Sequence, residues 1–70
     1  MQEAAFFGAW IAQRRRQLDL TQRELAALIP CAVSTIKKVE SGERRPSREL
    51  AESLAGVLKL PPERIPHFVE

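Results

Sequence analysis

Nowhere in the 70 residues do apolar and polar side chains alternate with period two; the apolar residues recur instead at three- and four-residue spacing. That spacing is the mark of one helical face, and it leaves no segment from which a sheet could be built. Phe7, Trp10, Ile11 and Leu18 define a first helix over about residues 4–18. Asp19 and Leu20 interrupt it, and Thr21 with Glu24 then spells a capping box, in which each side chain satisfies an orphan amide at a helix start. A second helix therefore opens at Thr21, carries Leu25, Ala26, Leu28 and Ile29, and stops at Pro30 after roughly two turns. The third runs from near Ala32 to Gly42, a residue that tolerates the left-handed conformation common at helix ends. Glu43, Arg44, Arg45 and Pro46 read as a solvated loop, and Ser47 is placed to cap a fourth helix. Leu50, Leu54 and Leu58, supported by Ala51, Ala55 and Val57, give that helix a buried stripe ending near Lys59. Pro61 and Pro62 suit the first turn of a fifth helix. Pro66 requires that helix either to kink or to begin properly only there, with Ile65, Phe68 and Val69 turned inward. The expected fold is all-α, with five helices in one domain over residues 1–70.

A chain this short holds one core, and with 44% hydrophobic and 29% charged residues it has a globular composition. No apolar run approaches the ~20 residues of a bilayer span, and no basic start, apolar stretch and cleavage site combine into an export signal. The expected setting is cytoplasmic, with no membrane partner. The single Cys31 cannot form an intramolecular disulfide, and with one His67 there are too few soft ligands for a structural zinc. Cys31 reads as a small buried hydrophobe in the turn, and Trp10, beside Phe7, as core. There is no Ser-His-Asp set, no carboxylate pair beside a base, and no phosphate-cradling loop among the scattered Gly8, Gly42 and Gly56. The sequence therefore predicts neither an enzyme nor a cofactor.

The charge is informative through its distribution. Between Arg14 and Arg48 nine basic residues stand against four acidic ones, whereas the whole chain carries only +2. A basic middle between acidic ends points to one face that meets an anion. Two short helices joined by a tight turn, the second followed by a basic loop, form the arrangement in which one helix crosses the DNA backbone and the next enters the major groove. At ~100° per residue, Ala32, Ile36, Val39 and Glu40 fall on one side of the third helix, and Ser34, Lys37, Lys38 and Ser41 on the other. That strip can donate to base edges and phosphates, although a polar strip is also what any solvated helix shows. Val33 lies at its flank, where an apolar side chain can touch a thymine methyl.

Leu20-Thr21-Gln22-Arg23-Glu24-Leu25-Ala26, followed by Ser34-Thr35-Ile36-Lys37-Lys38-Val39-Glu40-Ser41-Gly42-Glu43-Arg44-Arg45-Pro46-Ser47, resembles the Cro and phage-repressor family of helix-turn-helix domains over roughly residues 6–60. The resemblance implies a phage-repressor-like fold with the helix-turn-helix at about residues 21–41 and sequence-specific binding of double-stranded DNA in transcriptional regulation. Carried over position by position, Val33, Ser34, Lys37 and Lys38 match base-contacting residues, and Gln22, Thr35, Ser41, Arg44 and Arg45 match phosphate-contacting ones. Arg15 and Glu40 match a structural pair bridging the first and third helices. Pro30 stands where the family usually has Gly, Ala32 where it often has a capping Ser or Thr, and Val33 where it has a polar reader. The Cys31–Ile36 stretch and the Gly42–Ser47 loop resemble in particular the N-terminal domains of large bacterial regulators with further C-terminal domains. That leaves open whether this chain is part of a longer protein and whether it pairs as a homodimer. The alternative function is a protein-interaction module on the same fold, as in an antitoxin or bridging factor, with the ends of the fourth and fifth helices as the contact.

Overall fold

The computed structural model describes residues 3–61, with side chains from Phe6 onwards. It contains four helices in chain order, α1 (Glu3–Gln17), α2 (Gln22–Leu28), α3 (Val33–Ser41) and α4 (Arg48–Leu58), and no strand among the described residues. The expected fifth helix falls on residues beyond Pro61 and lies outside the described residues.

The helix boundaries follow local chemistry. Thr21 has extended backbone and accepts from the Glu24 amide at 3.0 Å, while the Glu24 carboxylate accepts from the Thr21 amide at 2.8 Å. The capping box is thus complete, and Leu20 and Leu25 occupy the flanking positions that staple such a start. At α4 the Ser47 hydroxyl accepts from the Leu50 amide at 3.2 Å. Helices α1, α3 and α4 end on a left-handed residue, Asp19 (φ 58°), Gly42 (φ 81°) and Lys59 (φ 57°) respectively. In each case the next amide reaches back to a carbonyl of the last turn: Leu20 to Arg15, Glu43 to Lys38 and Leu60 to Ala55. These bonds satisfy carbonyls that the helix leaves orphaned. Only Gly42 adopts the conformation without a steric penalty.

Pro30 produces a different exit from α2. No residue of this turn has a positive φ. Ile29 closes the helix at φ −103°, ψ 8°, and the Cys31 amide folds back onto the Ala26 carbonyl at 3.0 Å. A left-handed glycine is unnecessary there because the reversal is made by that one bond past the proline.

The core is built from Phe7 and Ile11 of α1, Leu25 of α2, Ile36 and Val39 of α3, and Leu54 and Leu58 of α4, each fully buried. Trp10, half-buried at the rim, meets Phe7 edge-on with ring centroids 6.2 Å apart. Cys31, Val33, Leu50 and Val57 pack partly against the core. Four expectations need correction. Leu18 is 36% and Leu28 57% exposed, although both continued an apolar stripe. Leu18 follows the last residue of α1 and Leu28 is the last of α2, so both stand at helix ends, beyond the part of each stripe that the core covers. Ala32 is exposed and not on the inner side of α3, because its extended backbone (ψ 145°) sets it outside the helical progression. Pro46 is fully buried, where a solvated loop was expected. It precedes the Ser47 cap, in the staple position opposite the buried Ala51.

Candidate nucleic-acid interface

Helix α3 is held against α1 and α2 at its C-terminal half. The Arg15 guanidinium donates from Nε to Glu40 Oε2 at 2.6 Å and from Nη2 to Oε1 at 3.1 Å. Its third donor, Nη1, reaches the Leu20 carbonyl at 2.8 Å, at the entrance to α2. Glu40 Oε1 also accepts from Gln22 Nε2 at 2.9 Å. One carboxylate on α3 therefore gathers donors from α1 and α2, and the side chains of the ion pair are only 10% and 7% exposed. A two-pronged Arg–carboxylate contact fixes both distance and orientation. Its attachment to Leu20 ties the same guanidinium to the segment that leads into α2.

The opposite face of α3 is open. Ser34, Lys37, Lys38 and Ser41 are exposed, as is Arg44 in the following loop; Val33, Thr35 and Arg45 are half-buried. Spacing brings the first four onto one strip. The Ser41 hydroxyl is engaged locally: it donates to the Lys38 carbonyl at 3.0 Å and accepts from the Glu43 amide at 3.3 Å. The Glu43 and Arg44 amides converge on the same carbonyl at 3.0 and 3.2 Å. The loop is thereby folded tightly against the end of α3, which sets Arg44 beside the strip carrying Lys37 and Lys38. Arg16, Arg23 and Arg48 are further exposed cations on α1, α2 and α4.

Three features escaped sequence reasoning. Arg14 donates from Nε to the Leu58 carbonyl at 2.8 Å and from Nη1 to Gln17 at 3.1 Å, so it caps the last turn of α4. The capping carbonyl is 44 residues away in sequence, and nothing in the local pattern signals it. Gln22 has Glu40 as a side-chain partner, a link between residues 18 apart. Gly8 faces the backbone of α3, where a Cβ would lie 2.5 Å from the Glu40 carbonyl oxygen and closer still to that of Val39. That close approach lets α1 and α3 pack backbone to backbone.

Among the described residues no three of His, Cys, Asp and Glu gather into a metal-binding group, and no helix is long and apolar enough to cross a membrane. Burial pushes the Cys31 thiol above its ordinary pKa. A short capped helix, a tight turn and a second helix with an outward polar strip are thus fixed on a supporting α1, and the model of the helix-turn-helix family matches residues 11–65. The chain belongs to this family. The family is that of DNA-binding helix-turn-helix domains of Cro and phage-repressor type. No curated protein matches the chain.

Proposed function

We propose that this helix-turn-helix domain binds double-stranded DNA sequence-specifically in transcriptional regulation, with α3 in the major groove. The observation that carries the reading is the exposed strip of Ser34, Lys37 and Lys38 on a helix whose other side is locked to α1 and α2 through Glu40. Preorganised donors on a rigid element lose little entropy on binding. Val33, Ser34, Lys37 and Lys38 meet base edges, the lysines donating to guanine O6 and N7. Gln22, Thr35, Ser41, Arg44 and Arg45 meet the phosphate backbone and set the register. Gln22 spends one Nε2 hydrogen on Glu40 and keeps the second for a phosphate oxygen. Ser41 reaches a phosphate by turning its hydroxyl hydrogen away from the Lys38 carbonyl, while its oxygen keeps the Glu43 amide of the loop. Arg15 and Glu40 position α3 without touching DNA.

The test is fluorescence anisotropy on duplexes selected from a random pool. Affinity falls about a hundredfold between roughly 50 and 200 mM salt if four phosphates are neutralised. Lys38→Ala changes the preferred sequence, whereas Arg44→Ala weakens all sequences alike. Affinity indifferent to salt refutes the reading. In that case a partner protein that shifts the amide signals of α4, while DNA leaves those of residues 33–45 unmoved, establishes the interaction-module alternative.

A further inference from the structure

The N-terminal end of α3 differs chemically from the rest of its outer face. Ala32 is exposed and extended, and makes no side-chain cap. At the starts of α2 and α4, by contrast, Thr21 and Ser47 each accept an amide. Capping therefore does not account for the residue at position 32, since alanine is among the poorest caps. Val33 follows, half-buried, with part of its side chain against the core. The lysines begin one turn later, at Lys37. In a helix-turn-helix it is the N-terminal residues of the recognition helix that reach base edges. Here those residues carry no hydrogen-bonding side-chain group until Ser34.

Of the groups that a base pair presents in the major groove, the C5 methyl of thymine is the one an aliphatic surface recognises. Alanine has no rotamer entropy to lose, and valine in a helix is held to one main χ1 rotamer, so the pair offers a preformed apolar contact. We infer that Ala32 and Val33 form a methyl-reading surface, so that the target of this domain carries a 5-methylpyrimidine at one fixed position in each bound site. Thymine and 5-methylcytosine present that methyl at the same ring atom. Because neither side chain engages the exocyclic O4 or N4, the surface separates methylated from unmethylated pyrimidines and does not separate thymine from 5-methylcytosine. The inference rests on the DNA-binding reading of α3 and names the chemistry read at its first turn.

The experiment starts from a duplex selected from a random-sequence pool by the 70-residue chain. Each thymine is replaced singly by deoxyuridine, which removes only the methyl. One position loses about fourfold in affinity, the factor for burying one methyl-sized group, and the others change little. At that position a 5-methylcytosine·guanine pair binds about fourfold tighter than cytosine·guanine. Val33→Thr and Ala32→Ser, each checked for unchanged helicity by circular dichroism, reduce the thymine-to-deoxyuridine ratio. The inference is overturned if the chain binds with steep salt dependence yet tolerates every deoxyuridine, or if the ratio is the same in both variants. A chain that enriches no duplex fails at the earlier step and refutes the DNA-binding reading itself.

Discussion

Gly8 is the position at which the smallest chemical change meets the least yielding surroundings. A methyl group there lies 2.5 Å from the Glu40 carbonyl oxygen and 2.8 Å from its carbon. An ordinary contact begins at 3.4 Å, so more than 0.9 Å of separation is missing, since the Val39 carbonyl oxygen lies closer still, and the obstructing atoms are backbone. No rotamer relieves the clash; α3 must withdraw from α1 as a body. The strain extends further, because Arg15 lies seven residues on, on the same face of α1, and its 2.6 Å contact with Glu40 is stretched by the same displacement. Overpacking of this kind costs about 1–3 kcal/mol, partly offset by the ~1 kcal/mol that alanine gains over glycine in a helix. Gly8→Ala is therefore expected to destabilise the domain by up to about 2 kcal/mol and to lower its melting temperature by up to roughly 15 °C. Gly56 supplies the control: it is a helical glycine with nothing within 4 Å of the methyl that alanine would add, so Gly56→Ala is expected to stabilise by up to ~1 kcal/mol. Thermal and urea unfolding followed by circular dichroism compare the two. If Gly8→Ala raises stability as Gly56→Ala does, the backbone contact between α1 and α3 is refuted.

Three other perturbations test separate parts of the structure. Glu40→Ala strands the Arg15 guanidinium in a nearly closed site and costs about 3–5 kcal/mol, close to the whole stability of a domain this size, whereas the double replacement Arg15→Met with Glu40→Leu costs far less. Urea titrations measure both, and a Glu40→Ala protein within about 1 kcal/mol of the parent contradicts the clamp. Lys59→Gly relieves a left-handed lysine and is expected to gain up to ~1 kcal/mol; a loss in thermal unfolding indicates that the lysine side chain contributes more than its backbone costs. Cys31, whose thiol is pushed up by burial, carries less thiolate than an ordinary cysteine at about pH 8. Mass spectrometry should show iodoacetamide labelling it more slowly in the folded chain than in denaturant, and equal rates contradict the burial.

What the sequence discloses is mostly local. Thr21 with Glu24, Ser47 and Gly42 announce the starts of α2 and α4 and the end of α3, because the partners of each lie within a turn. Contacts between elements are less accessible. Leu18 and Leu28 satisfy helical spacing as well as Ile11 or Leu25 does, yet both stand at helix ends and stay exposed. Pro46 has the flanks of a solvent loop and the burial of a core residue, since α4 begins immediately behind it. The three glycines look alike in sequence, yet Gly8 abuts another helix, Gly42 turns the chain and Gly56 faces open space. Arg14 and Arg15 are adjacent in one basic run, and the rotation of α1 sends one to the end of α4 and the other to Glu40. Charge counting places all such residues in one basic middle; packing assigns Arg15 to the frame and leaves Lys37, Lys38 and Arg44 outside.

The two ends of α3 are consequently built on opposite principles. The C-terminal end is fixed three times over, by the Gly8 approach, by the Arg15–Glu40–Gln22 contacts and by the amides that converge on the Lys38 carbonyl. Its first turn has no side-chain cap, and the proline turn before it is closed by one backbone bond onto Ala26. The anchored end is where the cations and the loop arginine lie, so on the proposed reading the contacts that depend on register are made from the end that is held in place. The first turn carries Ala32 and Val33, whose proposed apolar contact with a base edge would tolerate small displacements that break a hydrogen bond. Replacing Ala32 by aspartate, a strong N-cap, therefore sets stability against recognition: the helix gains about 1 kcal/mol in unfolding experiments, while the carboxylate it introduces at the groove weakens binding to every duplex. A variant that gains stability and binds as tightly as the parent would place the first turn of α3 away from the DNA.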